Sequence, residues 1–291
     1  MNRSRTTVSI LLGAAALSLF AVAALGQATV IVTFEDMDPH VGQAFELRIV
    51  DAATGREVDR VSVPEVVAPT FDLSVSEVPL GVTYRIDFYA DANGNARYDA
   101  PPADHAWRIE LPDLQADTSI AFVHDLDFVD IRWAPYLDGT IEDGEYASET
   151  IDAATAMSVF WQHDGILLYV GLEAPGTGWL SIGFGPERRM QGANILIAAI
   201  ADGTLTIEDH YGHTQTSHRT DEVDHVIQAA GSEADGRSIV EFAIPLDSGD
   251  GEDAALAPGD EVAIILAYHG SNDSLIARHT KRSTSSIVLD N

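Results

Sequence analysis

Residues 178–211 read GWLSIGFGPERRMQGANILIAAIADGTLTIEDHY, and this stretch sets the fold class of the chain. Trp179 to Phe184 alternates bulky and small side chains, the pattern of a half-buried strand, and Gly183 and Gly185 open into a polar turn. Glu187, Arg188 and Arg189 occupy that turn, with Met190 directly after them and Gly192 just beyond. Ala193 to Ile200 then forms a continuous apolar run, as expected of a strand buried on both faces. The reading is strand, loop, strand, with one thioether on the loop. Such a Met either plugs a core or serves as a soft axial ligand to haem iron.

The same rhythm extends in both directions. ATVIVTFEDM, QAFELRIVDA, FDLSVSEV, TYRIDFYA, AWRIEL and SIAFVHDL are short runs rich in Val, Ile, Phe and Tyr, with turn clusters at DAATG, VPLG and DANGN. In the second half AMSVFWQH, ILLYVGLEA, TLTIEDHY, SIVEFAIP, EVAIILAYHG and SSIVLD continue it. Short alternating strands at this spacing predict an all-β protein of two antiparallel β-sandwich domains. The first spans 27–132 and has an immunoglobulin-like or transthyretin-like look. The second spans 136–291, and the boundary falls in DIRWAPYLDG, where a proline and a new turn cluster intervene.

Residues 1–26 read as a secretory signal peptide: Arg3 and Arg5, an apolar run from Val8 to Leu25, then small residues before Gln27. The alternative is a retained anchor, for which the run is just long enough. With cleavage, the mature chain carries no membrane span and is expected to be secreted or periplasmic. Loss of Arg3 and Arg5 takes the formal charge from −30 to −32. So acidic a surface repels nucleic acid and anionic membranes, which excludes both as partners. The chain has no cysteine, which removes disulfides, thiolate metal sites and covalent c-type haem attachment. Any haem must be held non-covalently by His, Met or Tyr.

The order GW-x-x-IGFG, a polar loop, M-x-GAN, an apolar strand, DG and D-x-Y resembles the DOMON family, over residues about 138–289. These β-sandwich domains are related to the amino-terminal domain of dopamine β-monooxygenase and the cytochrome domain of cellobiose dehydrogenase. DGTIEDGEY near the start and ARHTKRSTSSIVL near the end extend the resemblance. It implies b-type haem held between Met190 and His279, with His269 as the alternative. Arg188 and Arg189 depart from many family versions; with haem bound they would pair its propionates, and without it they are surface charge. Such a module relays electrons to an extracytoplasmic redox partner. Other members are haem-free and bind carbohydrate or small ligands, for which Trp161, Trp179, Tyr169 and Tyr211 are the candidate stacking residues.

Three further groups carry metal chemistry. Asp91, Asn93, Asn95 and Asp99 in DANGNARYD place oxygens at alternating positions, as Ca2+ prefers, with Asp104 able to complete the set. The alternative is a metal-free Asx turn, because Ala96 and Pro102 stand where an EF-hand needs Gly and Glu. A calcium-stabilised structural or adhesion role is the third reading of the protein. His40, His105 and His124 are the only histidines of the first domain, and three imidazoles suit copper or zinc if the sandwich brings them together. IEDHYGHTQTSHRTDEVDH gathers His210, His213, His218 and His225 beside Asp209, Asp221 and Asp224, in spacings that match no established ligand pattern. No nucleophile elbow, phosphate loop or dinucleotide fingerprint is present, so an autonomous hydrolase or dehydrogenase finds no support.

Overall fold

The computed structural model describes residues 26–291, so the expected signal segment lies outside the described residues except for Gly26. The chain is all-β. Its first seven strands are β1 (Gln27–Glu35), β2 (Phe45–Asp51), β3 (Glu57–Val63), β4 (Phe71–Pro79), β5 (Tyr84–Ala90), β6 (His105–Leu111) and β7 (Thr118–Val123). They form a three-stranded sheet, β4-β1-β7, and a four-stranded sheet, β3-β2-β5-β6. One pairing departs from the antiparallel expectation, because β1 and β7 run parallel, with Val30 opposite Thr118. In β1 every second residue is buried. Val30, Val32 and Phe34 thus face a core shared with Phe45, Phe88 and Trp107 of the other sheet.

Alternation also decides what faces outward. Leu47 and Ile49 of β2 enter this core, so Arg48 projects from the opposite face. There its guanidinium pairs with Asp87 at 3.1 Å and donates to the Ile131 carbonyl at 3.3 Å. Arg108 closes on the other Asp87 oxygen at 2.6 Å. The guanidiniums of Arg48 and Arg60 each lie 4.9 Å from the centre of the Trp133 ring. The segment that leaves β7 is therefore seated on the four-stranded sheet by buried charge and by Trp133.

The remaining strands are β8 (Ser148–Ile151), β9 (Ser158–His163), β10 (Leu167–Pro175), β11 (Leu180–Phe184), β12 (Asn194–Ala201), β13 (Thr204–Thr214), β14 (Ser217–Thr220), β15 (Gln228–Ala234), β16 (Arg237–Pro245), β17 (Glu261–Tyr268) and β18 (Lys281–Val288). Five of them order as β15-β16-β10-β9-β8 and six as β14-β13-β12-β11-β17-β18. Inward residues of the two sheets, among them Leu168, Val170, Ile182, Phe184, Leu196, Phe242, Ile264 and Leu266, make a second core of packed aliphatic and aromatic side chains. Among the described residues no helix is long and apolar enough to cross a membrane.

Candidate metal centre

The structure gathers His40, His105 and His124, with one ligand nitrogen of each within 4.8 Å of the others. Three separate elements deliver them. His40 ends a single 3-10 turn, Asp38–His40, with Pro39 fixing the backbone of its first residues. His105 is the first residue of β6, in phase with the buried Trp107. His124 follows β7 directly and is tied down by its own N–H, which donates to the Glu35 carbonyl at 3.0 Å. The three imidazoles close one end of the first sandwich over Trp107, whose ring lies 5.5 Å from that of His40 and 5.7 Å from that of His124. Phe128 stacks on His105 at 4.1 Å.

The protonation states favour ligation. The Gln43 carbonyl oxygen lies 2.8 Å from His40 Nδ1 and can only accept there, so Nδ1 carries the proton and Nε2 the lone pair. That lone pair faces His105 Nδ1 at 3.4 Å. Nε2 of His124 is buried and has no hydrogen-bond partner. Burial, first of all, pulls the pKa of His40 below its ordinary value, and the neighbouring His105 and His124 add to this. Burial and His124 do the same to His105. Two imidazoles that burial favours in the neutral form, His40 and His105, and the unpartnered Nε2 of His124 offer three nitrogens in an aromatic surround, a donor set for a transition-metal ion. Gln43 was not among the residues singled out from sequence; the His-x-x-Gln spacing across a turn is the signal that points to it.

Met190 and the two candidate histidines are not brought together. Antiparallel pairing sets Phe184 opposite both Asn194 and Ile264, and Leu180 opposite Tyr268. The loop with Met190 follows Phe184, at one end of the sheet. His269 and His279 lie on the β17–β18 connection at the other end, where Tyr268 pairs with Lys281. Four residues of strand separate the two ends, roughly 13 Å. The lateral offset adds to this, because Met190 leans towards β13. There Gly212 lies so close that a Cβ on it would collide with the Met190 carbonyl oxygen. Arg188 and Arg189 are exposed at the same end as Met190. The fold thus sets Met190, Arg188 and Arg189 at one end of the six-stranded sheet and His269 and His279 at the other.

The other expectations sort in the same way. In the DANGN loop, Asp91 accepts from the N–H groups of Gly94 at 2.7 Å and Ala96 at 2.8 Å, and Asp104 accepts from Ala92 at 2.9 Å and Asp99 at 2.7 Å. Asn93 and Asn95 both donate to Asp99, at 2.7 and 2.6 Å. The carboxylates are occupied by the loop itself, which matches the Asx-turn alternative and leaves Ca2+ unsupported. Trp161, Trp179 and Tyr169 are buried. Trp161 donates to the Val288 carbonyl at 2.8 Å, Tyr169 to Asp164 at 3.1 Å, and Trp179 packs with Ile197 and Ala199. They are core residues and offer no face to a sugar. A cleft of about 960 Å³ lies beside Glu46, Arg60, Tyr98, Trp133 and Glu145, but the Trp133 ring is already flanked by two guanidiniums. The histidine-rich segment splits: His210 faces His218 at 2.9 Å and Glu208 at 2.8 Å, while His225 turns towards Asp253.

An all-β chain with a histidine centre at one end of its first sandwich is the class these observations define. Residues 153–269 match the family model of the DOMON domain, so the second sandwich carries a DOMON domain. The chain is also similar to two solved structures. The cytochrome b domain of pyranose dehydrogenase from Coprinopsis cinerea has 12% identity and a TM-score of 0.38, over 48% of this chain and 80% of that one. The cytochrome domain of cellobiose dehydrogenase from Myriococcum thermophilum has 11% identity and a TM-score of 0.35, over 48% and 78%. No curated protein matches the chain in sequence.

Proposed function

We propose that this protein is an exported, metal-carrying DOMON module whose first sandwich holds one imidazole-preferring transition-metal ion, copper ahead of zinc. His40 Nε2, His105 Nδ1 and the unpartnered Nε2 of His124 are the ligands. The observation that supports this most directly is the fixed tautomer of His40, whose Nδ1–H is held at 2.8 Å by Gln43 while Nε2 faces the other two rings. A carboxylate or carbonyl partner of this kind orients metal-ligating histidines generally. Copper heads the divalent affinity order for nitrogen donors and, when bound, supplies one-electron chemistry. The chain's own residues orient the rings and exclude bulk water with Trp107 and Phe128. The electron-relay role implied by the family resemblance is thereby reassigned to the first sandwich. Export rests on Arg3, Arg5 and the apolar run that follows them.

Titration of metal-free protein with Cu2+ and Zn2+ by calorimetry tests the reading. We expect one tight equivalent in the parent protein and its loss in the double variant His40→Gln, His124→Ala. Because a chain of formal charge −30 collects cations non-specifically, the comparison with the double variant decides. Equal binding by both proteins would overturn the proposal.

A further inference from the structure

A second group of donors lies in the DOMON sandwich, far in sequence from the three histidines. One ligand atom from each of Asp209, His225 and Asp253 falls within 4.8 Å of the others. Asp209 sits on β13, in the six-stranded sheet. His225 precedes β15, the edge strand of the five-stranded sheet. Asp253 comes from the connection between β16 and β17, which crosses from one sheet to the other. The group therefore joins both sheets and their connection at one edge.

Its hydrogen bonding is incomplete in a specific way. Asp209 is 2% exposed, and its Oδ2 accepts from the His225 N–H at 3.1 Å while its Oδ1 has no partner. The Asp253 side chain is 5% exposed; its Oδ2 accepts from the Ser248 hydroxyl at 2.6 Å, and its Oδ1 likewise has no partner. Nδ1 of His225 lies 2.8 Å from Asp253 Oδ2 yet is out of line for a hydrogen bond. That is how two ligands of one centre sit, whereas a donor and its acceptor align. A buried Oδ2 of Asp221, on the same loop as His225, is unpartnered as well. Buried carboxylate oxygens rarely go without a hydrogen-bond donor or a cation, because the desolvation of each is costly.

We propose that Asp209, His225 and Asp253 bind a divalent cation that accepts a mixed carboxylate and imidazole set, such as Mn2+ or Zn2+, and that this ion staples the two sheets of the DOMON sandwich. Carboxylates alone would suit Ca2+, but the imidazole shifts the preference to first-row ions.

The test uses the His40→Gln, His124→Ala background, in which the first centre cannot contribute. Metal-free protein is titrated with Mn2+, Zn2+ and Ca2+, followed by calorimetry, thermal melting and Mn2+ electron spin resonance. We expect one equivalent of Mn2+ or Zn2+, a raised melting temperature, and 14N coupling on bound Mn2+ from the His225 ring. Asp253→Asn and His225→Gln should each lose about tenfold or more in affinity. The spectroscopic readout on the background protein needs no change at the site, so a misfolded variant leaves it intact. Absence of a stoichiometric Mn2+ or Zn2+ site would overturn the proposal. Binding of Ca2+ alone, indifferent to His225→Gln, would do so too. A third contrary result is Asp209→Asn raising the metal-free melting temperature as far as metal raises that of the background, which would assign the unpartnered oxygens to a shared proton.

Discussion

Replacing Gln43 with Met separates a metal centre from a mere cluster of histidines. The substitution keeps side-chain length and removes the acceptor 2.8 Å from His40 Nδ1. The turn itself is held by backbone bonds that survive, from the Gln43 N–H to the His40 carbonyl at 3.1 Å and from the Val66 N–H to the Gln43 carbonyl at 2.8 Å. Without metal, His40 has an escape: it changes tautomer and donates from Nε2 to His105 Nδ1, now 3.4 Å away. The metal-free protein should therefore melt close to the parent. With metal, Nε2 must keep its lone pair, so the proton is forced onto an Nδ1 that is buried and without an acceptor. Loss of such an orienting partner costs about 10- to 100-fold in affinity, or roughly 1.4–2.7 kcal/mol. Competition against a chelating dye at pH 7 measures this directly. Repeating it across pH adds a second signature. Both His40 and His105 titrate below their ordinary value of 6.5 when folded. The unfolded chain thus binds protons first, and the stability these neutral rings confer is present above that pH and lost as pH falls through the folded pKa values. Metal affinity must fall in the same direction, since protons and metal compete for one lone pair. Equal affinity in Gln43→Met and parent, or affinity that does not weaken on acidification, would refute the reasoning.

Three further outcomes follow from the structure. Haem added to the purified protein should give no low-spin Met/His spectrum, and Met190→Ala should leave whatever absorption appears unchanged; a Soret and α/β pattern abolished by Met190→Ala would contradict the register. Glu241 is buried, accepts from Tyr146 at 2.9 Å and from the Gly139 N–H at 2.8 Å, and burial raises its pKa from 4.5 to about 7. Because the folded carboxyl holds its proton longer than the unfolded one, the Glu241 contribution to stability is greatest at low pH and declines between about 4.5 and 7, by up to roughly 3 kcal/mol. Urea melts of Glu241→Gln against the parent should show that decline reduced, and parallel pH profiles would count against it. Arg48→Met leaves Asp87 paired with Arg108 and strips a donor from Ile131, and should cost about 1–3 kcal/mol in urea unfolding; no measurable loss would show that the buried pair is dispensable.

What could be read from sequence divides along a physical line. Strands buried on at least one face announce themselves by alternation or by apolar runs, and β11, β12, β13 and β17 lie where GWLSIGFG, ANILIAAI, TLTIEDHY and EVAIILAY placed them. The strands β3, β8, β14 and β15 were not among the runs quoted, and all four stand at sheet edges. Edge strands are polar on purpose, since an apolar edge invites association, so their pattern resembles that of loops. The parallel β1–β7 pair was equally silent, because pairing direction leaves no mark on a strand's own residues.

The sites divide by a related rule, and it explains why one set of histidines converged while another did not. β11 and β17 are hydrogen-bonded neighbours running antiparallel, so the connections leaving their carboxy-terminal ends emerge at opposite ends of the sheet. Met190 sits on the first connection and both His269 and His279 on the second. Motif order along the chain holds no information about that pairing, which joins Leu180 to Tyr268. In the first sandwich the same geometry works the other way. β6 begins at His105, the parallel partners β1 and β7 end together at Glu35 and Val123, and the turn after β1 carries His40 back over them. A strand start from one sheet and two strand ends from the other meet at a single rim. Three lone imidazoles scattered over 85 positions become one donor set only through that arrangement. The same holds for Asp253, whose place beside Asp209 depends on a sheet-to-sheet crossing that its own loop sequence does not encode.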